Sequence, residues 1–169
     1  MSEPPVFIFV MGENRWRAEH EWPLARTHYT RYYFHSDGPA NTRHGAGSLS
    51  TAPPGDEPAD TYHYDPRDPV PTRGGNTLII PQGVADQGSV EDRPDVLVYT
   101  SMALERDLEV TGPIKVHLFA ASGCIDTDFT ESFCWRNPET EETVFDDDPD
   151  FQEPEGDYWE KYGYQDHWE

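Results

Sequence analysis

The sequence predicts an all-β protein. Three short apolar or alternating runs, Val96–Thr100, Leu108–Thr111 and Ile114–Phe119, follow one another, with Gly112-Pro113 between the last two. Runs of this kind with turn residues between them are typical of half-buried antiparallel strands. The 16 prolines and 13 glycines favour short strands and many turns. No stretch carries a convincing helical pattern, and strands spaced roughly 8–12 residues apart indicate a sandwich or jelly roll.

The other strands are predicted from the same signals. Val6–Met11 is apolar on both faces, as in the interior of a sandwich, and Thr27–His35 is rich in β-branched and aromatic residues. Further short strands are expected at 45–50, 61–64 and 77–81. Loops are expected at 51–60, which contains three prolines, at 81–88 and at 91–92.

The net charge of −21 limits the partners of this chain. A protein this acidic has no basic patch to neutralise nucleic-acid phosphates, and anionic membranes should repel it. Only two lysines stand against ten arginines and 33 acidic residues. Because concentrated salt screens such self-repulsion, we expect a protein from a high-salt cytoplasm. The alternative is that an acidic tail inflates the charge.

The acidic residues are concentrated near the C-terminus. Residues 131–169 hold 14 acidic and two basic side chains, a net charge of −12. This composition is typical of a disordered or loosely held segment. We therefore predict a β-sandwich over residues 1–130 and an acidic tail over 131–169. A sandwich without its last strands would expose sheet edges, so self-association through those edges is also expected.

The sequence offers no cofactor or metal site that we would predict. The histidines are scattered without metal-ligand spacing, and Tyr62-His63-Tyr64 is expected to be an ordinary polar face of a strand. Asp126 and Asp128 are expected to cap backbone amides in a turn, with a calcium site as the alternative. The run Asp146–Asp150 lacks the glycine and glutamate of a calcium loop, so a solvated acidic run is expected.

Two cysteines and the N-terminus bear on location. Cys124 and Cys134 are expected to be free core thiols, with a single disulfide as the alternative. The apolar run after Glu3 is too short for a signal peptide, and no stretch approaches the ~18 apolar residues of a membrane span. A soluble, cytoplasmic protein is predicted.

Four motifs resemble one known family. They are "MGEN-x-WR" followed by "EWP" (11–23), "YDPRDPVPTRGG" (64–75), "RPDVLVYTS-x-x-L-x-x-DLEVTGP" (93–113) and "DTDF" (126–129). Together, residues 5–129 resemble the C-terminal jelly-roll domain of the cocaine esterase / X-Pro dipeptidyl-peptidase (CocE/NonD) serine hydrolases. The resemblance implies a galactose-binding-like β-sandwich that packs on an α/β-hydrolase domain and helps to shape its acyl pocket.

The resemblance also places the catalysis elsewhere. The family's Ser-His-Asp triad has its serine on a G-x-S-x-G turn in the α/β domain, which precedes this region. This sequence contains no G-x-S-x-G, so no catalytic residue carries over and a separate α/β-hydrolase chain is the expected partner. The resemblance suggests an interface with that domain at Trp16, Arg17, Trp22, Asp126 and Asp128. Without it, the two tryptophans would be interpreted as core anchors.

Two alternatives stay open. A free-standing binding module would stack sugar or peptide on exposed aromatic residues such as Trp159, Tyr162 and Trp168. A degenerate hydrolase fragment would have no function of its own. The resemblance implies serine-hydrolase activity for the family and none for this chain on its own.

Overall fold

Short strands dominate the regular structure. The computed structural model describes residues 3–75, 83 and 85–140, and the backbone of residues 143–144. The described elements are β1 (Val6–Val10), β2 (Arg15–Glu19), β3 (Tyr33–Ser36), β4 (Gly47–Ser50), α1 (Gly88–Glu91), β5 (Thr100–Ser101), β6 (Trp135–Arg136) and β7 (Thr143–Val144). The all-β prediction is confirmed, with one helical turn, α1, at the end of the region predicted as loop.

The first sheet is the hairpin of β1 and β2. The strands pair antiparallel from Val6 opposite Glu19 to Val10 opposite Arg15. The turn between them contains Gly12 and Asn14 at φ of 82° and 49°, a left-handed conformation that glycine and asparagine tolerate best. The predicted first strand is therefore confirmed, except that its last residue belongs to the turn.

The second sheet brings distant segments together. β3 pairs antiparallel with β4, and β4 pairs parallel with β5. At Gly47 a Cβ would lie 2.0 Å from the carbonyl oxygen of Val98, so only glycine fits this crossing. A bridge between Asn41 and Leu97 continues the contact beside the sheet. The predicted strand at 45–50 is confirmed as β4.

Two other predicted strands are shorter or missing. Only the end of Thr27–His35 enters β3, and residues 61–64 form no strand. Both segments have strand-like side chains, but no neighbouring strand pairs with residues 27–32 or 61–64 in the described residues. Extended chain without a partner strand has no ladder to join.

The core of the described part is small. Its buried apolar side chains are Val10, Leu24 and Ala40. The buried polar residues Glu19, Ser36 and Gln87 are all hydrogen-bonded: to Arg26, to Asp60 and to the carbonyl oxygens of Arg73 and Ala85. Burial without such partners would be costly, so these bonds are part of what fixes the fold.

Residues 102–134, which we call the arm, correct the sequence prediction most strongly. The strands predicted at Leu108–Thr111 and Ile114–Phe119 do not form, and nearly every arm residue is exposed. Of the predicted run Val96–Thr100, Leu97 makes its bridge to Asn41 and Thr100 begins β5. The alternating pattern is present in the arm, but no strand pairs with it among the described residues.

Several predictions lie outside the described residues or remain predictions. The strand at 77–81, the run Asp146–Asp150, and Trp159, Tyr162 and Trp168 are outside. Within the predicted tail, β6 pairs antiparallel with β7. The boundary at 130 stays a prediction. Both cysteines are free thiols, but Cys124 is exposed, so the expected core position is wrong for it.

Candidate functional site

The hairpin presents aromatic side chains on one face. Phe9 lies opposite Trp16, and Phe7 lies opposite Ala18, so alternation puts these residues on the same side. The rings of Phe9 and Trp16 have centroids 5.5 Å apart and are tilted by 59°. Phe7 and Trp16 are nevertheless each 46% exposed. We call Phe7, Phe9 and Trp16 the aromatic face.

Trp22 lies in the loop that follows β2. It is 49% exposed and precedes Pro23 through a cis peptide bond. The loop is held from within, because Leu24 is buried and the Ala25 amide donates a 3.0 Å hydrogen bond to the Glu21 side chain. Trp22 is therefore a large exposed ring on an anchored backbone, and its role at an interface stays a prediction.

Arg17 lies on the opposite face of β2 from Trp16 and binds carboxylates within the domain. Its guanidinium donates to Glu109 through Nη1 at 2.9 Å and Nη2 at 2.6 Å. Its Nε lies 2.7 Å from Glu19 without hydrogen-bond alignment. Glu19 in turn accepts two bonds from Arg26. Four alternating charges thus link the hairpin, the loop after it and the arm.

The ionisation of these groups reflects their contacts. The hydrogen bonds from Arg17 lower the pKa of Glu109 to about 2. Those from Arg26 lower the pKa of Glu19, and Glu109 raises the pKa of Arg17. Because a bidentate arginine–carboxylate pair fixes both partners, Arg17 holds the arm to the hairpin. Its role at an interface stays a prediction.

Asp126 and Asp128 stand apart from the hairpin residues. Both are exposed, and neither makes a hydrogen bond or ion pair with the other predicted interface residues in the described ranges. The expected capping is not seen either: in this stretch the Cys124 amide bonds Ser122 Oγ instead. Within the described residues no group of three or more His, Cys, Asp or Glu side chains could hold a metal.

One polar cluster is not apparent from the sequence. His35 on β3 has Nδ1 2.8 Å from Glu57 and Nε2 3.1 Å from Ser50 Oγ. These residues border an open polar groove of about 270 Å³. The contacts run from Ser50 through His35 to Glu57, and this arrangement resembles the Ser-His-acid triad of a serine hydrolase. Ser50 and Glu57 are 15 and 22 residues from His35 in the sequence, and no local pattern predicts a contact at these separations.

The hydrogen bonds of His35 exclude triad chemistry in this state. Nε2 also lies 3.0 Å from the carbonyl oxygen of Ala52, which can only accept a hydrogen bond. Nε2 must therefore carry a proton, and it cannot take one from Ser50. Ser50 Oγ also accepts a bond from the Ala52 amide. The arrangement is a structural clamp rather than an activated nucleophile.

The comparisons with known proteins identify the domain. Residues 1–132 match the family of X-Pro dipeptidyl-peptidase C-terminal non-catalytic domains. The chain belongs to this family. It is thus the non-catalytic C-terminal β-domain type that the motifs predicted, and the lack of a usable nucleophile around His35 agrees with it.

Named relatives match over the same region. A cocaine esterase from Rhodococcus sp. (strain MB1 Bresler) is 50% identical over 129 residues, which are 75% of this chain and 22% of the relative. Two mycobacterial proteins named as serine esterases, from Mycobacterium bovis and Mycobacterium tuberculosis, are each 33% identical over 132 residues, 76% of this chain and 19% of theirs. The chain spans about a fifth of the length of these relatives.

One finding concerns membranes. Among the residues that the structure describes, no helix is both long and apolar enough to cross a bilayer.

Proposed function

We propose that this domain docks on an α/β-hydrolase domain through the aromatic face and Trp22, and forms one wall of that domain's acyl pocket. The hydrolase domain supplies the nucleophile. The matched relatives carry esterase names, so an ester is the substrate class to test first.

The exposed aromatic face is the observation that carries the proposal. Exposed rings of this size mark interaction sites more often than isolated aliphatic side chains do. Trp16 is already packed on Phe9, and Trp22 projects from an anchored loop, so little side-chain freedom is lost on binding. Tryptophan is also among the residues that dominate binding energy at interfaces.

The arm supports a second proposal, self-association. Its exposed apolar side chains recur at alternate positions on either side of Gly112-Pro113, and no described strand pairs with them: Leu108, Val110, Ile114, Val116 and Leu118. Unpaired strand-like chain is a template for pairing with a second copy. Sedimentation at rising concentration tests this. A dimer would support it, and a monomer throughout would end it.

We also propose a cytoplasmic location for this protein. Its support is the pair of free thiols, since reduced cysteines are usual where glutathione and thioredoxin keep thiols reduced. Fractionation of the source cells tests it. Recovery of the protein from the extracellular medium with Cys124 oxidised would contradict it.

Reconstitution tests the docking proposal directly. The full chain is assayed with p-nitrophenyl butyrate and with an X-Pro-p-nitroanilide in molar KCl, alone and after co-expression with the Rhodococcus cocaine esterase lacking its matching 129 residues. We expect no hydrolysis by the lone chain and ester hydrolysis by the pair. Hydrolysis by the lone chain would overturn the non-catalytic role. A pair that is inactive and does not co-purify would overturn the docking.

A Ser50→Ala variant is the control for the lone chain. Because Ser50 lies next to His35, it is the serine that a hidden activity would use. The variant should leave the activity of the pair unchanged.

A further inference from the structure

The loop that joins β4 to the following segment is held to the second sheet at two points. First, His35 bonds the Ala52 carbonyl oxygen near the start of the loop and the Glu57 carboxylate further along it. At its end, Asp60 accepts bonds from Ser36 Oγ at 2.9 Å, the Ala40 amide at 2.8 Å and Tyr99 Oη at 2.8 Å. The two attachments differ in chemistry, since only the first depends on a histidine.

The first attachment requires a doubly protonated ring. Both ring nitrogens of His35 face acceptors: a carbonyl oxygen at Nε2 and a carboxylate at Nδ1. A neutral imidazole has one N–H, so it satisfies one of these acceptors and turns a lone pair toward the other. The imidazolium alone donates to both at once.

We propose that residues 51–59 form a proton-controlled flap, which the His35 imidazolium clamps to β3 and β4 and which is released when His35 loses its proton. Asp60 keeps its bonds in both states and acts as the hinge. Opening withdraws Glu57 from the wall of the polar groove that it shares with His35 and Ser50.

The charges around the ring favour the clamped state. Glu57 from the loop is the main cause of the raised pKa of His35, and the Ala52 carbonyl oxygen and Asp37, in the turn after β3, add to it. His35 in turn lowers the pKa of Glu57, whose second oxygen accepts a 3.2 Å bond from the Ser36 amide. The ring is only partly exposed, at 18% of its side chain, so solvent does not replace these partners.

The direction of the pH effect follows from these shifts. Because the pKa of His35 is higher in the clamped state, the clamp is complete below the ring's ordinary value of 6.5 and is lost as pH rises through the raised value. The ionised Glu57 carboxylate stabilises the clamp fully above its ordinary pKa of 4.5, and this stabilisation is lost as pH falls through the lowered pKa. The flap is therefore held most firmly between pH 4.5 and pH 6.5, the ordinary pKa values of Glu57 and His35.

Hydrogen exchange and NMR titration of the full chain test the flap. We expect the opening of residues 51–59 to increase by up to tenfold per pH unit above 6.5 and then level off, while the Ala40 amide at the hinge stays protected. The nitrogen chemical shifts of the ring should show both His35 nitrogens protonated at pH 6. A neutral ring at pH 6, or loop exchange that does not follow the His35 titration, would overturn the proposal.

Variants separate the clamp from general pH effects. His35→Gln should leave residues 51–59 open at every pH, so that their exchange follows only the intrinsic base-catalysed rate, and Glu57→Gln should weaken the pH response of the opening. His28→Gln, at an exposed histidine, should leave the response unchanged. If His35→Gln keeps the wild-type response, the flap does not depend on His35. If it fails to fold, the wild-type nitrogen shifts and the Glu57→Gln titration still decide.

Discussion

The hairpin and the arm have similar sequences and different structures. Both contain short strand-like apolar runs, continuous in β1 and alternating in the arm, with a turn glycine between their extended segments. The hairpin strands pair in a defined register over five residue pairs, and Val10 at the end of β1 is buried. The arm has no strand partner in the described part of the chain, and Val116 and Leu118 are 40% and 45% exposed.

The difference shows that an alternating pattern specifies a strand only where a partner strand is available. Each fully exposed Leu, Ile or Val in the arm would gain about 1.5–3 kcal/mol if it were covered. In the hairpin, β1 pairs with β2, the next strand along the chain, through the turn at Gly12 and Asn14. Among the described residues, side-chain hydrogen bonds join the arm to the N-terminal part of the chain, and the pair of Arg17 and Glu109 supplies two of them.

A matched pair of leucines gives the sharpest test of this comparison. Leu24→Ala removes a side chain that is 4% exposed and should lower the free energy of unfolding by about 2–5 kcal/mol. Leu118→Ala removes one that is 45% exposed and should change it by less than about 0.5 kcal/mol. Urea denaturation measures both. Equal losses would show that the arm belongs to the folded core.

The aromatic face should matter for docking more than for folding. Trp16→Ala should weaken binding to the truncated esterase by about 2 kcal/mol, or roughly thirtyfold, because it removes a large interface anchor. Titration calorimetry measures the affinity. Trp135→Ala, at a tryptophan of similar exposure on β6, is the control and should bind normally. A loss of affinity matched by an equal loss of stability would contradict the docking role of Trp16.

Salt should raise the stability of the whole chain by several degrees in Tm between low and molar KCl. The charge of −21 repels itself, and at 1 M salt the Debye length falls to about 3 Å. The ion pair of Arg17 with Glu19 is mostly shielded from solvent and should weaken less than the repulsion does. Thermal melts across a KCl series test this. A flat series would remove the high-salt interpretation.

Loss of the contact between the hairpin and the arm should have the smallest effect of these changes, limited to the hydrogen exchange of the arm near Glu109. Because Arg17 lowers the pKa of Glu109 to about 2, this contact is complete above the ordinary value of 4.5 and is lost as pH falls toward 2. Glu109→Gln should release residues 108–112 at every pH, seen as faster hydrogen exchange there. Glu105→Gln, at an exposed neighbouring carboxylate, is the control. Unchanged exchange in Glu109→Gln would show that other contacts hold the arm.

The sequence predicted the parts of the fold that depend on local signals. β1 and its turn follow from a short apolar run beside glycine, β4 contains the one large apolar residue of its segment, Leu49, and the four motifs were enough to identify the family. The arm was mispredicted because alternation does not reveal whether a partner strand is present. The parallel pairing of β4 with β5 joins Ser48 to Thr100, and no local pattern encodes a contact at that separation.

The sequence likewise pointed to some residues of the candidate site and missed others. Trp16 and Trp22 were selected from their motif, and the structure exposes both, but their role at an interface stays a prediction. Arg17 was grouped with Trp16 because both belong to the first motif. The structure places the two side chains on opposite faces of β2 and pairs Arg17 with Glu109, and the interface role of Arg17 stays a prediction. The clamp at His35 was missed because its partners come from β4 and a proline-rich loop that fold back on it.

A hydrogen-exchange footprint tests the central claim most directly. The exchange of the full chain is measured alone and in complex with the truncated Rhodococcus esterase. If the domain docks as proposed, residues 6–19 and the Trp22 loop become protected in the complex. Protection confined to other residues, with the hairpin exchanging as in the free chain, would contradict docking through the aromatic face.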